Sequence, residues 1–175
     1  MRAQPAIVHA AERGVDLLTR VAEFVSAVLL WLIFAILLTE LALRNLLTQS
    51  LAGSWELAAF LMSAMFYLGL APALRAGSHV RVMMMAGALK GLPAKLLEGL
   101  VLALALAVSS YACLALTNLS LSSLTRGSRS WELSLPLALP QAFVALGMGI
   151  FACAFAAQLL LLFAGRPVTN PETPE

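Results

Sequence analysis

The chain has 175 residues, 61% of them hydrophobic and 11% charged, with a formal net charge of +2. Soluble domains run at roughly 45–50% apolar and about 25% charged, so a water-soluble globular domain is excluded, and so small a net charge gives no purchase on nucleic acid. Two histidines and two cysteines leave little for metal or redox chemistry.

The first segment, 1–22, carries the cleanest amphipathic pattern. At about 100° per residue, Ile7, Val8, Ala11, Val15, Leu18 and Val21 share one side, opposite His9, Glu12, Arg13, Asp16 and Arg20. This predicts a lead-in helix in the membrane interface that runs into the first span. That span, 24–43, is uncharged apart from Glu40. It is longer than the roughly 7–15 residues of a signal-peptide core, and no small-x-small cleavage site follows it before Arg44.

Glu40 sits three residues before the end of that run, with Arg44 four residues on. The acid precedes the base on one helix face, which is the favourable order. The short connection 44–54 predicts an antiparallel pair of spans. Span two opens with Ser54-Trp55-Glu56-Leu57, and Glu56 in its first turn suits the helix dipole. A bridge from Glu56 back to Arg44 would join the three charges at one membrane boundary. From 57 to 74 there are 18 residues without a carboxylate, amine or imidazole, about 27 Å of helix against a bilayer core of about 30 Å. Arg75, Gly77, His79 and Arg81 then mark a turn.

The loop 75–95 mixes glycines, Pro93, a run of methionines and four basic residues. It lacks a clean polar face, which predicts a second surface-lying segment that touches a partner. A third apolar run covers 100–116. The Ser/Thr-rich stretch 117–134, with Gly127, reads as an external loop. Within it Ser130-Trp131-Glu132-Leu133 echoes 54–57, which fits either a two-helix repeat or tryptophans placed in an aromatic belt. Pro136 and Pro140 mark the start of the last helix, whose run 142–164 has Gln158 as its one strongly polar side chain. Pro167, Pro171 and Pro174 predict a disordered tail over 166–175.

The expected fold is therefore an all-α integral membrane protein: a lead-in helix over 1–22 and a four-helix domain over 23–165, with spans near 23–44, 55–75, 96–118 and 137–164. Only helices or closed barrels satisfy the backbone within lipid, and runs of this length read as helices. Segments 1–23, 75–95 and the tail share one side of such a protein and hold eight of its 11 basic residues. The positive-inside rule then puts both termini in the cytoplasm.

No catalytic set is visible. His9 and His79 stand apart in sequence, no nucleophile has a partner base, and no cofactor is called for. Cys113 and Cys153 fall inside predicted spans, where they read as small buried apolar groups. Three competing readings follow. A small stand-alone exporter has four spans but needs a midplane carboxylate, and Glu40 is too near a helix end. A quinone-linked membrane enzyme would need paired cysteines, facing haem ligands or acidic clusters. A membrane scaffold unrelated to transport differs from the reading below only in its partner.

Taken in order, Arg44, Trp55-Glu56-Leu57, Leu68-Gly69, Arg75-x-Gly77-x-His79-Val80-x-Val82, Leu92-Pro93, Leu135-Pro136 and Leu146-Gly147 make the chain resemble the small membrane subunit of tripartite ATP-independent periplasmic (TRAP) transporters, the DctQ type. Met83 stands where that family commonly has an acid, and the second acid often found near Glu56 is missing, so roles attached to those carboxylates do not carry over. The resemblance implies a large multi-span partner that holds the solute and sodium sites, a periplasmic substrate-binding protein as a transient partner, contact with membrane lipids, and uptake of organic acids or related solutes across a bacterial inner membrane. It makes this chain a scaffold, with Glu40, Arg44, Trp55, Glu56, Arg75, Gly77, His79 and Arg81 as structural or subunit-interface candidates.

Overall fold

A computed structural model of the chain describes residues 6–76 and 92–163, with side chains described from 13 and from 95 in those two stretches. Gly77, His79, Arg81 and Met83, the surface segment expected after Arg75, and the tail lie outside the described residues. Four helices account for nearly all of the rest: α1 (Ala6–Leu47), α2 (Ser54–Arg75), α3 (Leu92–Thr125) and α4 (Ala138–Phe163). Each is long and apolar enough to cross a membrane. The protein is an all-α membrane protein, as its composition requires.

The lead-in and span one form one uninterrupted helix of 42 residues, about 63 Å long. From Val15 onward this helix stands beside α2: Val15 packs against the buried cluster of Ala71, Leu74 and Ala154, Arg75 pairs with Asp16, and Ser26 donates a hydrogen bond to the Met65 carbonyl at 3.3 Å. The partner numbers in the last two pairs add to the same total, which is how two antiparallel helices of equal rise must register. The second hairpin obeys the same rule. Ser120 donates to the Ala138 carbonyl at 2.9 Å, and the Cys113 thiol to the Ala145 carbonyl at 3.6 Å.

α3 also runs further than its composition suggests, because residues 117–125, read as loop, are helical. Serine and threonine disfavour helices by competing for backbone groups. Here the competition is settled inside the helix and against α4: Thr117 donates to the Cys113 carbonyl, Thr125 to the Ser122 carbonyl, and Ser120 to α4. The loop proper is 126–137, a small hairpin in which Ser130 N–H donates to the Leu135 carbonyl at 2.8 Å and Leu137 N–H to the Ser128 carbonyl at 3.0 Å.

The two hairpins meet through their second helices. α2 contacts α1 and α4, α4 contacts all three others, and among the described residues α3 comes close to α4 alone. Both α2 and α4 start at the end that carries the interhelical loops, so they are parallel neighbours. Their shared face is made of small residues: Ala64 and Ala71 are buried on α2, and Gly147 and Ala154 on α4. In a membrane, helix association relies on close packing, and small residues let the backbones approach. The closest approach is at Gly147, where an added Cβ would stand 2.6 Å from the Tyr67 carbonyl carbon and 2.8 Å from the Leu68 nitrogen.

Gly147→Ala therefore forces the central helices apart and should cost about 1–3 kcal/mol, the usual range for overpacking. Gly69→Ala, whose Cβ would meet only the Ser26 hydroxyl at 3.9 Å, should lie close to wild type. Denaturant unfolding of the detergent-solubilised full chain compares the two, and equal stability of both variants would contradict the close crossing.

Candidate functional site

The polar side chains with the most partners gather where the two interhelical loops meet. Glu40, in the penultimate turn of α1, is buried at 3% exposure. Its carboxylate accepts a hydrogen bond from the Ser50 hydroxyl at 2.6 Å and another from the Leu51 N–H at 2.7 Å. The chain must reverse between Leu47 and Ser54, with Thr48 and Gly53 at positive φ, and a reversal of this kind leaves backbone donors without helical acceptors. Glu40 supplies the acceptor. Ser54, which opens α2, is buried beside this group, although its hydroxyl makes no hydrogen bond of regular geometry.

Glu56 performs the same service for the other loop. Its carboxylate accepts from three successive backbone N–H groups, those of Trp131 and Glu132 at 3.1 Å and of Leu133 at 3.0 Å. Successive amides converging on one anion form a nest, an arrangement that elsewhere holds phosphate or a bound carboxylate; here the protein fills it with its own side chain. Next to it, Leu133 covers Gly53 so closely that a Cβ there would lie 2.5 Å from the leucine side chain. Gly53 is thus fixed twice, by its φ of 77° and by Leu133. Glu56 and Leu133 together clasp one hairpin to the other.

The expected ionic cluster takes a different form. Arg44 is exposed and has no ion pair among the described residues, so neither the Glu40–Arg44 pair nor the Glu56–Arg44 bridge is present. The reason is that both carboxylates have short, directed amide or hydroxyl donors within reach, and an exposed arginine on a long flexible stem competes poorly with these. Trp55 is 63% exposed and Trp131 96% exposed. The two four-residue echoes do not occupy equivalent places: 54–57 forms the first turn of α2, 130–133 lies in a loop, and the acid of the first binds the backbone of the second. Arg75 is at the opposite end, paired with Asp16. Sequence reasoning did not find Ser50, Gly53, Leu133 or Asp16 as partners. Of these, only Gly53 carries a signal, a glycine directly before a helix start.

Chemically, the arrangement has little to offer a solute. Among the described residues no three side chains of the His, Cys, Asp or Glu type gather as metal ligands, and Cys113 and Cys153 are free. The middle of every span is uncharged. What the fold and its clasp define is a multi-pass helical membrane protein whose boundary carboxylates, Glu40 and Glu56, hold its own loops. The family follows from the sequence: the model for the DctQ component of tripartite ATP-independent periplasmic transporters matches residues 33–165, and the chain belongs to that family. Comparison with characterised proteins and with solved structures gave no match.

If the nest holds the hairpins together, Glu56→Gln, which removes the charge from three amide hydrogen bonds, should lower the melting temperature by several degrees. Glu132→Gln alters an exposed acid and should move it by less than about one degree. Circular-dichroism melting of both variants in detergent checks this, and equal melting would remove the clasp from the list of forces that matter.

Proposed function

We propose that this chain is the scaffold subunit of its transporter: it holds a large multi-span subunit that carries the solute and sodium sites, and a periplasmic protein delivers organic acids or related solutes to that subunit. The observation that carries this reading is the commitment of both boundary carboxylates. Glu40 and Glu56 are already engaged with five hydroxyl and amide donors, and the middle of every span carries no charged side chain that could hold a transported ion. A stand-alone exporter would need a free carboxylate near the midplane, and Glu40 is neither free nor central.

The outer surface supports the same role. α1 presents Phe24, Trp31, Phe34 and Leu38, all at least half exposed, and α3 presents Leu100, Leu104, Val108 and Tyr111. These faces suit lipid and a membrane-embedded partner alike. The orientation that agrees with the basic residues puts the clasp and Trp131 in the periplasm and the Arg75 end, with both termini, in the cytoplasm of a bacterial inner membrane.

Co-expression with a cognate large multi-span subunit, followed by extraction in mild detergent, should recover the two chains as one stoichiometric complex. Recovery of this chain alone would defeat the scaffold reading. For orientation, Trp131→Cys in a background with Cys113→Ala and Cys153→Ala should react with a membrane-impermeant maleimide in intact cells with a permeabilised outer membrane. Labelling that appears only after the inner membrane is broken would reverse the assignment.

A further inference from the structure

At the end opposite the clasp, α1 and α2 leave between them a cleft of about 380 Å³ lined by Asp16, Arg20, Glu23, Pro72 and Arg75. The three α1 charges recur at intervals of four and three residues, so they share one helix face. The α1–α2 register sets their depth: Asp16 is level with Arg75, while Glu23 stands seven residues further in, about 10 Å along the axis, beside the uncharged part of α2. Arg75 and Asp16 pair with each other. Arg20 and Glu23 are exposed and have no ion pair or hydrogen bond among the described residues. Charges at that depth in a membrane are costly unless they pair or line a polar cavity, and here an unpaired cation and an unpaired anion line one.

We propose that this cleft binds the headgroup of a zwitterionic phospholipid carrying a primary amine, a phosphatidylethanolamine. The charge order fits. A phospholipid enters with its chains toward the middle of the bilayer, its phosphate next and its ammonium outermost. In the cleft the cation Arg20 stands inward of the anion Asp16, so the phosphate meets the arginine and the ammonium meets the aspartate. The Arg20 guanidinium has five donors in a planar fork and can serve the phosphate on one edge and Glu23 on the other. The cleft holds two acids and two bases, so it offers no net attraction to an anionic lipid. Phosphatidylglycerol brings the same single phosphate charge with no ammonium to offset it beside Asp16 and Glu23. A quaternary ammonium, having no N–H, cannot donate to Asp16. The proposal needs only the membrane placement of the helices and stands whether or not the scaffold role does.

Native mass spectrometry of the full chain in a non-ionic detergent, titrated separately with phosphatidylethanolamine, phosphatidylcholine and phosphatidylglycerol, tests it. Wild type should retain phosphatidylethanolamine in preference to both others. Arg20→Gln should weaken that binding about tenfold, as expected for loss of one charge-assisted contact, and Arg20→Lys should recover part of it. Glu23→Gln leaves the cleft net positive and should bring phosphatidylglycerol level with phosphatidylethanolamine, a change of selectivity that mere loss of stability would not produce. The proposal fails if wild type takes phosphatidylglycerol as readily as phosphatidylethanolamine, if both glutamine variants bind like wild type, or if millimolar inorganic phosphate displaces the lipid, which would reduce the site to an anion pocket.

Discussion

Because α1 and α3 do not touch each other among the described residues, the bundle they form hangs on the crossing of α2 and α4. Each outer helix is fixed chiefly by its own hairpin partner, and only α1 adds contacts to α4. The two hairpins form one body because the backbone of α4 at Gly147 can rest against the backbone of α2 at Tyr67 and Leu68. No larger side chain fits there. Alanines extend the contact along both helices, so dispersion between closely spaced backbones holds the interface.

Close packing of two smooth faces leaves sliding and rotation weakly opposed. Directed interactions at the ends restrict them. At one end the Glu56 carboxylate and the Leu133 side chain reach across to the opposite hairpin; at the other, Val15, Ile150, Phe151 and Phe155 pack around Ala71, Leu74 and Ala154. Asp16 and Arg75 add an ion pair at that second end. The polar groups sit where water and headgroups are near, and the middle is left to apolar contact. That division lets four spans be rigid without burying an ionised group at the centre of the bilayer.

Much of this was legible in the residues. Uninterrupted apolar runs gave the four helices, the short connection 44–54 gave the first hairpin, and Glu40 and Glu56 stood out because carboxylates are rare so close to a span. Their partners were another matter. The nest of Glu56 lies 75 to 77 residues away, and backbone amides leave no trace in a sequence, so arginine was the natural and mistaken choice. The end of α3 was misread for a related reason: serine and threonine signal loops until one knows that helical carbonyls and a neighbouring helix absorb their hydroxyls. Which helices touch was equally hidden, since alanine and glycine are common throughout the chain and only the register shows which of them face one another.

The long reach of Glu56 bears on how the protein is made. Its carboxylate belongs to the second helix to emerge from the ribosome, and the amides it holds are synthesised only after the third. Until then the first hairpin carries an acid with no amide nest to hold it and a small-residue face with nothing to cover it. Insertion of the last helix supplies both at once. The finished bundle is therefore distinguished from any truncated product by the same two contacts, and a membrane protease that recognises unpaired polar groups or loose helices has a clear difference on which to act.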